Sequence, residues 1–103
     1  YYEVRKFNKS YAAVRRYKNE WGVIDNTGKV VIPLKYDDIS DFYEGLATMK
    51  TNGKWGVIDI TGKEIISPKF DKAWFFCKEI IRVESNGRIF YIDKAEKEVN
   101  LRR

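Results

Sequence analysis

The carboxylates of residues 37–44 are the side chains of this chain best suited to bind a metal ion. Asp37, Asp38, Asp41 and Glu44 lie close together in sequence, and carboxylate oxygens are preferred ligands of hard cations such as calcium. Their spacing does not match a calcium-binding loop. We therefore interpret the cluster as a solvated loop and predict no metal site and no cofactor.

Residue types that carry out catalysis are scarce. The stretch from Asp25 to Gly28 is superficially similar to the Asp-Thr-Gly of aspartic proteases, but an extra residue separates the aspartate from Thr-Gly, which favours a turn. The chain has no histidine, the commonest general base and transition-metal ligand. Its single cysteine, Cys77, excludes an intramolecular disulfide and is predicted to be a half-buried apolar residue. The sequence therefore predicts that the protein is not an enzyme.

Basic residues are concentrated near the N-terminus. Residues 1–35 hold eight Lys and Arg against three Asp and Glu, and Arg15, Arg16 and Lys18 surround Tyr17. Such a patch is one route to binding nucleic acid or another anionic surface. An acidic middle section interrupts the basic stripe that phosphate binding normally requires, so we keep nucleic-acid binding as the alternative hypothesis.

An internal repeat organises the chain. The stretch Trp21–Asp25 returns unaltered thirty-four residues later as Trp55–Asp59. Repeats of this size indicate one supersecondary unit stacked against copies of itself. We divide the chain, as a single repeat domain, into copies 1–35, 36–69 and 70–103. The chain begins with tyrosine rather than methionine, so we expect it to be part of a larger protein with neighbouring domains or further repeats.

Each copy shows the signals of strands and tight turns. Asn52-Gly53 and Asn86-Gly87 predict two-residue hairpins, and Pro33 and Pro68 are predicted to end a third strand. The sequence thus predicts an all-β protein of three-stranded antiparallel meanders, stacked as a short β-solenoid or curved array, with no helix longer than two turns. A closed pseudo-threefold arrangement is the alternative.

The repeated tryptophan and glycine have predicted structural roles. Trp21 and Trp55 recur at the same position, which favours core packing over stacking on a sugar or base. The glycines that follow them are predicted to let an aromatic ring of an adjacent copy lie on the backbone. The repeat motif consists of Trp21, Gly22, Asp25, Gly28, Trp55, Gly56, Asp59 and Gly62.

These residues resemble the bacterial WG repeat, also called the KWG repeat. The middle copy carries its pattern in Gly45-Leu46-Ala47, Gly53-Lys54-Trp55-Gly56, Ile58-Asp59 and Gly62-Lys63. The third copy departs from the pattern with Ile89-Phe90 in place of Trp-Gly. The resemblance implies a module that occurs in tandem arrays and beside other domains, with no general catalytic activity.

One aromatic pair breaks the repeat. Trp74 and Phe75 occupy positions that hold Ser40 and Asp41 in the middle copy. Because all copies share the demands of the scaffold, this pair is predicted either to close the end of the stack or to contact a partner. We expect a non-catalytic interaction scaffold for a protein, peptide or glycan partner. No apolar run is long enough to span a bilayer, and the sequence does not indicate a compartment.

Overall fold

The computed structural model describes residues 3–77 and 79–100. Every regular element in this part of the chain is a β-strand, and the strands form three antiparallel sheets of four strands each. None of these sheets closes into a barrel. The all-β prediction is confirmed.

Each sheet follows chain order. The first sheet contains β1 (Glu3–Lys6), β2 (Tyr11–Arg15), β3 (Trp21–Asp25) and β4 (Val30–Tyr36). The second sheet contains β5 (Asp38–Ile39), β6 (Leu46–Thr51), β7 (Lys54–Asp59) and β8 (Glu64–Phe70). The third sheet contains β9 (Lys72–Cys77), β10 (Ile80–Ser85), β11 (Arg88–Ile92) and β12 (Glu98–Val99).

The predicted hairpins are present. Asn52 and Gly53 both have positive φ angles, 53° and 79°, and Thr51 pairs with Lys54 across the turn. Asn86 and Gly87 repeat this geometry at 53° and 82°. A two-residue turn with positive φ at both positions matches the twist of the strands that it joins.

The prediction of three strands in each copy was wrong by one strand. The segment that opens each copy supplies a fourth strand at the sheet edge, seen as β1, β5 and β9. In the second sheet Ile39 is fully buried and pairs with Met49, while its neighbour Asp38 accepts the Ile39 N–H. Charged residues are common on edge strands because they oppose pairing with other chains. The charged residues of β1 and β5 concealed these two strands from the sequence pattern.

The two prolines do not end their strands. Pro33 lies inside β4 and Pro68 inside β8. Trp21 pairs with Tyr36 while Val23 pairs with Ile32, so β4 bulges outward between the two pairs. A residue in a bulge lies outside the regular ladder, so the missing N–H of proline costs no ladder hydrogen bond.

The bulge also explains the glycine of each Trp-Gly pair. A Cβ atom added to Gly22 would lie 2.5 Å from the carbonyl oxygen of Ile32, and one added to Gly56 would lie 2.8 Å from the nitrogen of Pro68. The close neighbour is therefore the bulged strand of the same sheet. The prediction that an aromatic ring of an adjacent copy lies on these glycines was wrong.

Two apolar cores lie between the sheets. The first joins residues of the first sheet, among them Val23 and Ile32, to Met49 and Ile58 of the second. The second core joins Val57 of the second sheet to residues of the third sheet. The middle sheet is therefore covered on both faces. The described sheets form an open row within overall dimensions of 46 × 26 × 18 Å, and the closed alternative is not observed.

The two tryptophans differ in burial. Trp21 is buried with only 8% of its surface exposed, and the guanidinium carbons of Arg5 and Arg15 lie 4.9 Å and 5.8 Å from its ring centroid. Trp55 packs against the second core but is only half-buried. Ser40 takes the place of Arg5 in its copy, and a short side chain cannot cover the ring. The prediction of a core role therefore fits Trp21 better than Trp55.

This difference predicts unequal costs of truncation. Trp21→Ala removes a buried indole and is expected to destabilise the protein by about 3–5 kcal/mol. Trp55→Ala is expected to cost about half as much, because part of the ring is already in water. Urea denaturation of both variants measures the two free energies of unfolding. Equal losses would show that the arginine cover over Trp21 has no energetic role.

Candidate interaction surface

The start of β9 is held in place by Asp71. Its carboxylate lies 2.6 Å from Nζ of Lys54 on the second sheet and accepts the backbone N–H of Asn86 at 2.9 Å. The salt bridge to Lys54 and the bond from Asn86 lower the pKa of Asp71. Its own N–H donates to the carbonyl of Glu84 at 2.8 Å. Asp71 thus ties the second sheet to β10 and to the turn that follows it.

Trp74 and Phe75 lie on opposite faces of β9. Phe75 packs against the second core, and its ring centroid lies 6.0 Å from that of Tyr43. Trp74 points away from this core and is 37% exposed. The pair therefore does not form one patch, because adjacent residues of a strand face opposite sides.

Other residues join Trp74 on the outer side of the third sheet. Trp74 pairs with Arg82, which in turn pairs with Tyr91, so the three side chains share one face. Phe76 contacts Tyr91 edge-on at 5.3 Å between ring centroids and is 57% exposed. We call this surface, made of Trp74, Phe76, Arg82 and Tyr91, the end face.

Arg82 stabilises the end face through a cation–π contact. Its guanidinium carbon lies 4.5 Å from the centroid of the Trp74 ring, within the distance at which a cation is attracted to the face of an indole. This contact fixes the orientation of both side chains. The end face therefore presents a preformed aromatic and cationic surface.

The same face of the second sheet has a different composition. Ser40, Thr48 and Val57 occupy the positions of Trp74, Arg82 and Tyr91. Thr48 and Val57 are buried, and Val57 belongs to the core shared with the third sheet. Small side chains thus hold these positions where the second sheet stacks on the third. On the end face these positions hold large or charged side chains, which would prevent an equally close contact.

Sequence reasoning identified Trp74 but missed Phe76, Arg82 and Tyr91. Phe76 matches Phe42 of the middle copy and therefore resembled an ordinary repeat position. Arg82 and Tyr91 break the repeat as Trp74 does. A comparison of every position of the third copy with the other two copies would have identified Arg82 and Tyr91.

The basic cluster of the first copy is largely paired with carboxylates. Arg15 lies 2.9 Å from Glu3 and Arg16 lies 3.1 Å from Glu20. Together with Tyr17 and Lys18 these arginines line an open depression of about 440 Å³. The structure thus brings the predicted basic residues together, with two glutamates among them.

The repeated aspartates have a local structural role. The carboxylate of Asp25 accepts hydrogen bonds from the hydroxyl and N–H of Thr27 and from the N–H of Lys29, at 2.6, 2.9 and 3.0 Å. These bonds, led by that of the Thr27 hydroxyl, lower the pKa of Asp25. Gly28 and Gly62 close the equivalent turns with φ angles of 89° and 94°. The stretch from Asp25 to Gly28, which is superficially similar to a protease motif, therefore forms a turn.

The turn that begins at Asp59 is held closed in the same way as the turn at Asp25. Burial raises the pKa of Asp59, but hydrogen bonds from Thr61 and Lys63 outweigh it, so the pKa is lowered overall. Both aspartates thus remain ionised acceptors that hold their turns closed.

The acidic residues and the cysteine that the sequence singled out do not come together in one site among the described residues. Asp41 lies 3.1 Å from Arg5, which also donates to the carbonyl of Ile39. Within residues 3–77 and 79–100, no three acidic or cysteine side chains are grouped as a metal site requires. Cys77 is exposed, so the prediction of a half-buried residue was wrong. It lies at the end of β9, beyond the part of the strand that covers the core.

The fold and the repeat motif together define a β-repeat protein. The family model described as a WG containing repeat matches residues 21–55 and 55–88, which is more than half of the chain. The protein therefore belongs to the WG containing repeat family. No curated protein and no solved structure matches the chain. The described residues include no helix long and apolar enough to cross a membrane.

Because Trp74 and Phe75 lie on opposite faces of β9, we expect their replacement to have unequal effects on stability. Trp74→Ser is expected to change the free energy of unfolding by less than about 1 kcal/mol, because the ring lies on the outer face. Phe75→Asp is expected to cost more than about 2 kcal/mol, because it places a charge against an apolar core. Thermal and urea denaturation of both variants provide the check. A larger loss for Trp74→Ser would mean that Trp74 closes the end of the stack.

Proposed function

We propose that this WG-repeat protein is a non-catalytic interaction scaffold and that the end face binds a protein or peptide partner. The observation that carries the proposal is the presence of Trp74, Arg82 and Tyr91 at the positions that hold Ser40, Thr48 and Val57 where the second sheet stacks on the third. Since the scaffold does not need these side chains in the other copies, they serve a purpose local to the third sheet.

The chemistry of the end face fits protein recognition. Tryptophan, tyrosine and arginine dominate the binding energy of protein interfaces. Trp74 and Arg82 are already held against each other at 4.5 Å, so little side-chain freedom remains to be lost on binding. The half-exposed ring of Phe76 extends the apolar area beside them.

A glycan is a less favoured ligand for the same surface. Sugars stack on an open aromatic ring, whereas the guanidinium of Arg82 lies over one side of Trp74. A glycan would have to use the other side of the indole or displace the arginine. We therefore favour a protein or peptide and leave glycan binding as an outcome of the test.

Nucleic-acid binding through the basic cluster is the alternative function. The exposed ring of Tyr17 beside Arg16 supports it, because aromatic and cationic side chains together bind single strands. The ion pairs of Arg15 with Glu3 and of Arg16 with Glu20 weaken it, since a phosphate would have to compete with both glutamates. The end face carries the stronger argument.

Selection from a displayed random-peptide library tests the proposal. We expect peptides recovered on the natural protein to lose at least about tenfold in affinity on the Trp74→Ser variant, which is about 1.4 kcal/mol. Tyr17→Ser is the control, because it removes an exposed aromatic residue from the first copy and is expected to leave peptide binding unchanged.

Three results would contradict the proposal. Peptides that bind Trp74→Ser as well as the natural protein would place the binding surface elsewhere. Binding only on a parallel glycan array would identify a different ligand class. Binding of single-stranded nucleic acid that weakens steeply with salt and is lost in Tyr17→Ser would favour the basic cluster instead.

A further inference from the structure

The edge strands of the three sheets differ in how well they are protected from pairing with another chain. β4 and β8 each contain a bulge and a proline, β5 and β12 have two residues each, and three of the four residues of β1 are charged. Bulges, prolines, short length and charge all oppose strand addition. β9 has six residues with one charge and no proline, and its pairing with β10 is regular from Lys72 to Phe75. Among the described strands, β9 is therefore the least protected edge.

The second sheet shows how an edge of this kind is blocked. Paired residues of an antiparallel ladder alternate between those that exchange hydrogen bonds and those that do not. Ser40 donates its N–H to the carbonyl of Thr48 at 2.9 Å, so its neighbour Ile39 directs its N–H and C=O away from β6. Both groups are bound within the molecule, because the N–H donates to the carboxylate of Asp38 and the carbonyl accepts from the guanidinium of Arg5.

The edge of β9 lacks both blocking side chains. Ala73 takes the position of Ile39 in the same register, so Ala73 and Phe75 direct their N–H and C=O groups away from β10. The aspartate is replaced by Lys72, which cannot accept a hydrogen bond. The arginine is replaced by Ser40, whose short side chain bonds within its own sheet. Among the described residues, no hydrogen bond from outside the third sheet reaches the backbone of Ala73 or Phe75.

The free edge of β9 borders an open depression of about 300 Å³. Lys50, Trp55, Ala73 and Trp74 form part of its lining. In the corresponding place on the first sheet, the guanidinium of Arg5 covers the tryptophan ring. The depression therefore leaves room beside β9 for the side chains of an added strand.

The side chains of β9 on the end-face side indicate the chemistry of the ligand. Lys72 and Trp74 alternate along the strand and share this face, and Phe76 follows them. Lys72 is exposed and forms no salt bridge with a described residue, although Glu84 lies opposite it on β10. A carboxylate complements Lys72, and apolar side chains complement the two exposed aromatic rings.

We propose that the partner binds as an added antiparallel strand on the free edge of β9, as an extended peptide with two apolar residues and one acidic residue at alternate positions. Main-chain hydrogen bonds to Ala73 and Phe75 supply affinity, and the alternate side chains supply specificity. The antiparallel direction is chosen because it gives the more stable ladder. This inference rests on the proposed function and specifies how the end face binds its partner. A second molecule of this chain is a poorer occupant, because β9 carries no carboxylate to meet Lys72.

A peptide with modified backbone nitrogens tests strand addition without changing the protein. The probe is acetyl-Thr-Val-Thr-Val-Thr-Glu-Thr-amide, whose valines lie opposite Phe76 and Trp74 and whose glutamate lies opposite Lys72. N-methylation of the two threonines that flank the second valine removes donors directed at β9, so we expect affinity to fall at least about tenfold by calorimetry. N-methylation of the two valines is the matched control, because their N–H groups point away from β9, and is expected to change affinity less than about twofold.

Charge reversal at Lys72 gives a second readout. Lys72→Glu is expected to weaken binding of the probe at least about fivefold and to favour a probe with lysine in place of glutamate by a similar factor. Lys9→Glu reverses the charge of another exposed lysine, before β2, and is expected to leave both affinities unchanged. Exchange of the Ala73 and Phe75 amides is expected to slow at least about tenfold when the probe binds.

Several results would overturn strand addition. They are no binding of the probe at millimolar concentration, equal effects of the two N-methylation patterns, no change of charge preference in Lys72→Glu, and a dimer that protects the Ala73 and Phe75 amides without peptide. If library peptides are nevertheless weakened by Trp74→Ser, strand addition alone is rejected and the end face remains the binding surface. Library peptides unaffected by Trp74→Ser would reject the proposed function and this inference together.

Discussion

The structure depends on one constraint: the middle sheet has apolar side chains on both of its faces, and both faces must be covered. In the middle sheet Val57 and Ile58 are adjacent, point in opposite directions and are both buried, one in each core. A sheet with two apolar faces needs a layer on each side to remove them from water. The second sheet obtains its two layers from the first and third sheets.

Polar contacts fix how neighbouring sheets are aligned. The hydroxyl of Tyr36 on the first sheet donates to Glu64 on the second at 3.1 Å, and burial together with this carboxylate raises the pKa of Tyr36 to about 12. Lys54 and Asp71 form a salt bridge between the second sheet and the start of the third. Apolar burial thus supplies the driving force for stacking, and these contacts add polar links between neighbouring sheets.

The two ends of the row satisfy the same constraint in different ways. The outer side of the first sheet carries aliphatic residues such as Val4 and Ile24. The end face carries Trp74, Arg82 and Tyr91 where the second sheet has Ser40, Thr48 and Val57. This asymmetry is the physical basis for proposing a partner at the end face.

Local features of the fold were predictable from the sequence, whereas features set by contacts between strands were not. Asn52-Gly53 specifies its hairpin because both residues tolerate positive φ angles. The bulges at Pro33 and Pro68 depend on the register between two strands, which no local pattern encodes. The two residues of β5 are too few to show an alternation.

The candidate surface shows the same division. The break in the repeat at Trp74 was visible, but its separation from Phe75 depends on which face of β9 meets the core. Phe76 matches its counterpart Phe42 in type and was therefore not singled out. Comparing the copies thus detects residues that change type, and only the structure shows which of these residues share a face.

Native-state hydrogen exchange tests the stacking account most directly. Exchange of a protected amide reports the free energy needed to open its surroundings. Because the middle sheet, among the sheets formed by residues 3–77 and 79–100, is the one covered on both faces, the account predicts that amides of β6 and β7 exchange more slowly than those of β2 and β3 or of β10 and β11. Exchange from β6 and β7 that is no slower than from the other two pairs would contradict it.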